Sequence, residues 1–475
     1  MPNEYRELSL AEFLEEARSG NLDLDDYLER FLEETEKINE KFKVFITLRG
    51  KDEIKSDAEK IKKKSKKGSL FFLPFTVKDN ICTKDLRTTC GSKMLEDYVP
   101  FFDATVVNNF KGEDALLIGK TAMDEFGFGT FSTNCAFGPP LNPNDPKRVT
   151  GGSSGGAAAF TKAMEMPHIS IGQSTGGSIS CPSCFCGVFG LTPTYGVVSR
   201  YGLIDYGNSL DKIGLITKHA EDLEIGFRVL IKGDGKDSTH VGYEKERMKD
   251  YDFEKMRFAV VKEYFDAVSN EDVKKEVFKA VDKIASFVDV EEVSIPSSKY
   301  GLAAYYIVAT AEASTNLAKF CGMRYGYEEN PEGLHFDDYF SMIRSKAFGD
   351  EVKRRILLGS FARMAGYRDA YYLRALKVRR LIINEFKEAF KKYDVLLAPT
   401  MPTIAPRFEE VDKMKPSDIY AMDVLTVCPN FAGIPHLNAP CGKVENMPVG
   451  LHLLGDHFDD WKLIKAAEFL EREVL

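Results

Sequence analysis

The sequence has 475 residues, 44% of them hydrophobic and 29% charged: room for two ordinary domains or one large α/β body, and too apolar for a disordered chain. Its 64 Lys and Arg against 73 Asp and Glu leave a formal charge of −9, which excludes the concentrated positive field needed to grip a nucleic-acid backbone unaided. Nine thinly spread cysteines and no apolar run long enough to cross a bilayer exclude a disulfide framework and a membrane span, so a cytoplasmic protein with reduced thiols is expected.

The first section, about 1–50, carries two helical patterns. Its start, MPNEYRELSLAEFLEEA, has neither the apolar core nor the small-residue cleavage site of a secretory leader. Ser9 and Glu12 form a capping-box signature ahead of LAEFLEEARSG, and Asp25 and Asp26 open the run YLERFLEETEKINEKF. The lysine-rich DEIKSDAEKIKKKSKKGS mixes acids at helical spacing and reads as a solvated helix rather than an anion-binding face. A core section follows, about 70–220, with short apolar runs punctuated by Gly, Pro and Asn: LFFLPFTVKDN, DALLIGK, HISIG and GVFGLTPTYG. A helical section is expected over about 274–393, and DVLLAPTMPTIAP and GLHLLGDHF return to strand character over about 394–475. Alternating strand-like and helical segments with no repeat and no linker predict a single α/β unit over 1–475.

The segment that carries chemistry is RVTGGSSGGAAAFTKAMEMPHISIGQSTGGSISCP, residues 148–182, where two glycine-rich, serine-bearing loops bracket one short helix and one short strand. Such loops let main-chain N–H groups converge on an anion. A phosphate cradle would end in GK[ST], which is missing here, and the later GDGKDST has the wrong spacing. An oxyanion hole uses the same backbone chemistry beside a hydroxyl: Ser178 supplies it, with the N–H groups of Thr175, Gly176, Gly177 and Ser178 as donors. A serine needs a base. None of the seven histidines falls in a hydrolase motif, and His168 reads as structural. Lys78 ends an apolar run, where burial would lower its pKa and let it accept a proton; the alternative is an ion pair with Asp79 at a strand end. Cys181, Cys184 and Cys186 lie close together but lack a fourth ligand for zinc and read as buried thiols, so no metal is expected.

These residues together resemble the amidase signature family. The resemblance implies a large mixed β-sheet covered by helices on both faces, and a Lys-Ser-Ser triad on Lys78 of TVKDN, Ser153 of GGSSGG and Ser178 of STGGSIS. Ser178 would form the acyl-enzyme and Ser153, following a cis peptide bond, would relay its proton to Lys78. The usual spacing of the two serines is 24; here it is 25, which places an insertion near MEMPH or shifts the relay role to Ser154. Where most members read GSDTGGSIR, this chain reads GQSTGGSIS, with Ser174 for Asp and Ser180 for Arg, a paired loss of charge that points to altered support around an intact triad.

Within the family the chain is similar, nearly end to end, to the glutaminase A subunits of glutamyl/aspartyl-tRNA amidotransferases, through TAMDEFGFGT, PTYGVVSRYGL, NSLDKIG, AAYYIVATAEASTNLAKF, EVKRRILLG and MDVLTVCPNFAGIPHLNAPCG. The resemblance implies glutamine as substrate, B and C subunits as partners in a heterotrimer, tRNA held through the B subunit, and ATP and Mg used by that partner with no cofactor on this chain. A buried glutamine needs both charges of its α-carbon paired. By position in the matching motifs Arg355 would take the carboxylate and Asp423 the ammonium, with Tyr306 as a further pocket residue and Glu125 at the ammonia exit. Their plain alternatives are a helix-surface Arg and a helix-capping Asp, and the alternative for the chain is a stand-alone amidase or a silent scaffold.

Overall fold

The structure, a computed structural model, describes residues 4–475; residues 1–3, the first of the N-terminal section, lie outside the described residues. Eleven strands form one sheet: β1 (Phe45–Leu48), β2 (Pro74–Lys78), β3 (Leu116–Thr121), β4 (Ile169–Ser174), β5 (Phe189–Thr192), β6 (Lys212–Thr217), β7 (Phe258–Val261), β8 (Val290–Val293), β9 (Val395–Pro399), β10 (His436–Val444) and β11 (Met447–Leu454). Their order is β1-β3-β2-β4-β6-β5-β10-β11-β9-β7-β8. β3, β2 and β4 run parallel, as do β9, β7 and β8, and an antiparallel block joins the two groups. β2, β3, β4, β5, β6, β9 and β11 are buried at every residue, which requires cover on both faces. The expected mixed, helix-covered sheet is what the chain forms.

The N-terminal section forms the helices Leu10–Ser19 and Leu24–Phe42. Ser9 and Glu12 close the reciprocal capping box, while the second helix is capped by Asp23, which accepts from the N–H groups of Asp25 and Asp26. The lysine-rich stretch is the helix Lys51–Lys62, with only Ile54, Ala58 and Ile61 buried. The section expected to be helical holds an edge strand, β8, whose residues VEEV carry too little apolar pattern to announce it. Among the described residues no helix is long and apolar enough to cross a membrane.

Two features of this scaffold set the site. β2 and β4 are parallel neighbours, with Val77 beside Ile171, so their carboxyl ends deliver Lys78 and Gln173 to the same edge of the sheet. The helix Gly301–Asn316 packs against the helix Asp350–Arg363, and at their closest approach a β-carbon on Gly359 would lie 1.8 Å from the Thr310 carbonyl oxygen. Gly359→Ala is therefore expected to force the helices apart, at a cost of about 1–3 kcal/mol, measurable as a lower thermal midpoint.

Candidate active site

Lys78 is fully buried at the end of β2 and donates to Ser153 Oγ at 2.6 Å, to the Gln173 carbonyl at 2.8 Å and to Gln173 Oε1 at 3.1 Å. Burial pulls it down to about 7, against the opposing pull of Asp124, Asp211 and the Cys90 sulfur. At neutral pH a large share of the amine is uncharged and able to take a proton. The alternative pairing with Asp79 does not occur: that carboxylate turns away and accepts from the N–H and hydroxyl of Thr89.

The peptide bond between Gly152 and Ser153 is cis. Ser154 points elsewhere: its hydroxyl donates to the Gln173 carbonyl at 3.0 Å and its N–H to the Ser178 carbonyl at 3.1 Å. Ser154 thus ties the two glycine-rich loops together, and it is Ser153 that meets the lysine. The stretch MEMPH forms the connection between the helix Gly155–Ala163 and β4.

Ser178 follows β4 and precedes the short helix Ser180–Cys186. It is 7% exposed, and its hydroxyl has no hydrogen-bond partner among the described residues. The N–H groups of Thr175, Gly176 and Gly177 donate to no described residue, as an oxyanion hole requires. The fourth expected donor is corrected: the Ser178 N–H is spent on Ser174 Oγ at 3.1 Å, and that hydroxyl in turn donates to the Gly176 carbonyl at 3.1 Å. Glycine is required at both central positions. A β-carbon on Gly176 would lie 2.7 Å from Tyr305 Oη, and one on Gly177 2.2 Å from Thr426 Oγ1.

The two departures in this loop have separate, neutral replacements. Ser174 braces the loop from within. Ser180 lies 3.1 Å from His436 Nδ1, which is 3.0 Å from His452 Nε2. Burial pushes His452 down to about 3 and His436 well below its ordinary range, so the space beside Ser180 holds uncharged rings. His168 is structural: its Nδ1 lies 2.8 Å from the Met166 carbonyl, and its ring packs against Phe31 and Phe160. Cys181, Cys184 and Cys186 are buried thiols of the helix Ser180–Cys186.

The pocket candidates converge on the same loop. Arg355 is 3% exposed, which rules out a surface role; it donates to Glu351 at 2.7 Å and to Tyr206 Oη at 2.7 Å, amid the rings of Phe128, Tyr206, Tyr306 and Tyr420. Asp423 uses Oδ2 to accept from Tyr306 at 2.6 Å and Thr130 at 3.2 Å, while its Oδ1 has no partner among the described residues. It caps nothing with its side chain. Burial lifts it to about 6. Asp423 begins the turn whose Thr426 packs on Gly177, and Tyr306, which donates to Asp423, lies beneath the Arg355 guanidinium, so these side chains connect both charges to the Ser178 loop. Glu125 is buried apart from the triad, accepting from Ser92 and from the Gly349 N–H just before the helix that bears Arg355.

Three residues not singled out in the sequence complete the site. Gln173 takes two of the lysine's hydrogen bonds, Asp211 accepts from Gln173 and Thr175, and Asn430 donates to the carbonyls of Thr175 and Leu210. Asp211 and Asn430 lie inside the motifs NSLDKIG and CPNFAG; for Asn430 a polar residue amid apolar neighbours was the available signal, while Asp211, flanked by Ser209 and Lys212, had none of that kind.

The family described as Amidase matches residues 26–464. The chain is 43% identical over 464 residues to the A subunit of Glutamyl-tRNA(Gln) amidotransferase from Sulfurisphaera tokodaii, covering 98% of this chain and 97% of that one. It is 46% identical over 446 residues to the protein of the same name from Archaeoglobus fulgidus, covering 94% and 95%. Among solved structures, the protein of that name from Thermotoga maritima superposes with a TM-score of 0.80 at 34% identity, covering 99% of this chain and 95% of that one. A bacterial aryl acylamidase of the amidase signature family superposes with a TM-score of 0.82 at 21% identity, covering 98% and 96%, a likeness of fold alone.

Proposed function

The chain belongs to the amidase family, and from that premise we propose that it is the glutamine-hydrolysing component of a tRNA-dependent amidotransferase. Its end-to-end identity with chains of that name supports the class of reaction, and one geometric observation carries the choice of glutamine. A buried cation, Arg355, and a buried carboxylate with a free oxygen, Asp423, both engage Tyr306, and the turn that Asp423 begins packs on the loop that bears Ser178. A simple amide needs neither; an α-amino acid amide needs both.

In this reading Ser178 Oγ attacks the carboxamide carbon of glutamine. Its proton passes to Ser153, whose own proton passes to the neutral Lys78. The N–H groups of Thr175, Gly176 and Gly177 receive the oxyanion. Collapse breaks the C–N bond, and the leaving nitrogen regains the proton from Lys78 through Ser153 and departs as ammonia. Water, activated by the same relay, then splits the glutamyl ester and releases glutamate. No step calls for a metal or cofactor on this chain.

Ammonia set free in water is diluted and protonated, so the product is useful only where a partner consumes it. We assign that partner the ATP and Mg chemistry and the binding of mischarged Glu-tRNA(Gln), Asp-tRNA(Asn) or both. It is the B subunit of a heterotrimer completed by a C subunit, and Glu125 lies on the ammonia exit. The charge of −9 and the lack of a phosphate-binding loop motif support this division of labour. The test is glutamate release by the purified chain and by its native complex, with and without ATP and acceptor tRNA. Glutaminase activity is expected to rise in the complex when both are present. Full tRNA-independent turnover on varied amides, with no stable complex in native extract, would replace this reading with a stand-alone amidase, and no turnover in any mixture would replace it with a scaffold.

A further inference from the structure

Resting on the proposed role of Lys78 as the base, we propose that Asp211 is a positioning residue that acts through the Gln173 carboxamide to aim the lysine lone pair at Ser153.

A lysine base must present a lone pair, and Lys78 has three oxygens around its nitrogen: Ser153 Oγ, the Gln173 carbonyl and Gln173 Oε1. The ammonium form fills all three with its three N–H groups. The neutral amine has two N–H groups and one lone pair. With both Gln173 oxygens taking the N–H groups, the lone pair is left to the Ser153 hydroxyl proton. The carbonyl is fixed in β4, but the carboxamide can turn over. Turned, it would offer Nε2 as a donor, and the lone pair would be drawn to Gln173 and away from Ser153.

What prevents the turn is on the far side of the amide. Gln173 Nε2 donates to Thr175 Oγ1 at 2.8 Å and to Asp211 Oδ1 at 3.0 Å. The Thr175 hydroxyl could play either role, but it donates to Asp211 Oδ1 at 2.6 Å and so can only accept from the amide. Asn80 donates to Gln173 Oε1 at 3.1 Å, yet its own Oδ1 is buried without a partner, so Asn80 does not dictate the polarity. Asp211 does. Its other oxygen accepts from the N–H groups of Tyr206 and Gly207 at 2.9 and 3.0 Å, so four donors favour the ionised carboxylate against the burial that raises it to about 7. An acceptor-only carboxylate, pinned by two main-chain donors, sets the direction of every hydrogen bond from Thr175 to Lys78.

The test is steady-state kinetics of the native complex on glutamine across pH. In Asp211→Asn the carboxamide oxygen must face the two main-chain N–H groups, which puts Nδ2 against Thr175 and Gln173 and reverses the chain of hydrogen bonds. The turnover number is expected to fall about 10²-fold, within the range a general base supplies. The further variant Gln173→Glu, added to Asp211→Asn, offers an oxygen to both sides at once. It should recover at least about tenfold of the loss, with the acid limb moved to higher pH because a carboxylate now faces Lys78 beside Asp124 and the Cys90 thiol. A fall in the turnover number with no recovery at any pH would overturn the proposal as a purely structural loss. If Asp211→Asn does not fold, Gln173→Leu alone must reproduce the fall, and a turnover number within about twofold of wild type there would overturn it. Survival of turnover in Lys78→Ala would instead remove the premise, the lysine base itself.

Discussion

Ser178→Ala is expected to reduce glutamine hydrolysis by about 10⁴- to 10⁶-fold, and Lys78→Ala and Ser153→Ala to come close to it, with double variants losing little more than singles. The non-additivity follows from the geometry. A hydroxyl without a base and a base without its relay both leave the same unactivated nucleophile. The 2.6 Å contact of Lys78 with Ser153 makes the lysine's protonation state the switch. With Lys78 held near 7 by burial, kcat/KM should be level above that pH and fall about tenfold per unit below it, because the ammonium has no lone pair to offer, and for glutamine more steeply below 6, where Asp423 is protonated as well. The sign is opposite to that of an enzyme that needs a lysine ammonium. Ser154→Ala is the contrast: it loosens the tie between the loops but leaves the relay, and should lose far less than Ser153→Ala. Labelling by an electrophilic amide analogue should map to Ser178. A profile without an acid limb near 7, or adducts on Ser153 or Ser154, would sink the assignment.

How much of this was legible in the sequence depended on the kind of signal. Lys78, Ser153 and Ser178 were readable because each joins an unusual residue to a constrained setting: a lysine closing an apolar run, and serines among glycines whose missing side chains now make room for Tyr305 and Thr426. The α/β class was readable from short, mostly apolar runs such as those of β2, β3 and β9. β10 was not, because Pro440 and Gly442 interrupt it and the pairing with β11 shifts register between them. The hydrogen bond from the Ser178 N–H to Ser174 was also hidden, since side-chain return bonds in a loop have no periodicity to reveal them. The same holds for Gln173 and Asp211. They are 38 positions apart in the chain and become neighbours only because β4 pairs antiparallel with β6, setting Ser174 beside Lys212. Gln173 even stands in the quoted GQSTGGSIS, but a neutral amide announces no chemistry until its partners are in place.

Arg355→Ala and Asp423→Asn are expected to separate glutamine from a simple amide that lacks α-substituents. Each removes one partner of a buried charge, a loss of about 2–5 kcal/mol, or roughly 30- to several-thousand-fold in the Michaelis constant for glutamine. The simple amide, which brings neither charge, should keep its own constant. Arg355 is 3% exposed and framed by four rings, so an incoming carboxylate meets it with little competing water. Asp423 already accepts from Tyr306 and Thr130 through one oxygen, which orients the other toward the ligand at no further cost. Its protonation adds a second handle. Burial raises it to about 6, so as pH falls through 6 the carboxylate becomes a neutral acid and no longer pairs with the substrate ammonium. The Michaelis constant for glutamine should then climb, while that for the simple amide stays level. Because protonation of Lys78 slows both substrates alike, the ratio of their kcat/KM values cancels the lysine and leaves Asp423 exposed. That ratio should be constant above pH 7, fall through pH 6, and lie flat and low at all pH in Asp423→Asn. Equal losses on both substrates would show that Arg355 and Asp423 hold the fold and not the ligand, and a ratio indifferent to pH in the wild type would remove Asp423 from the ammonium site.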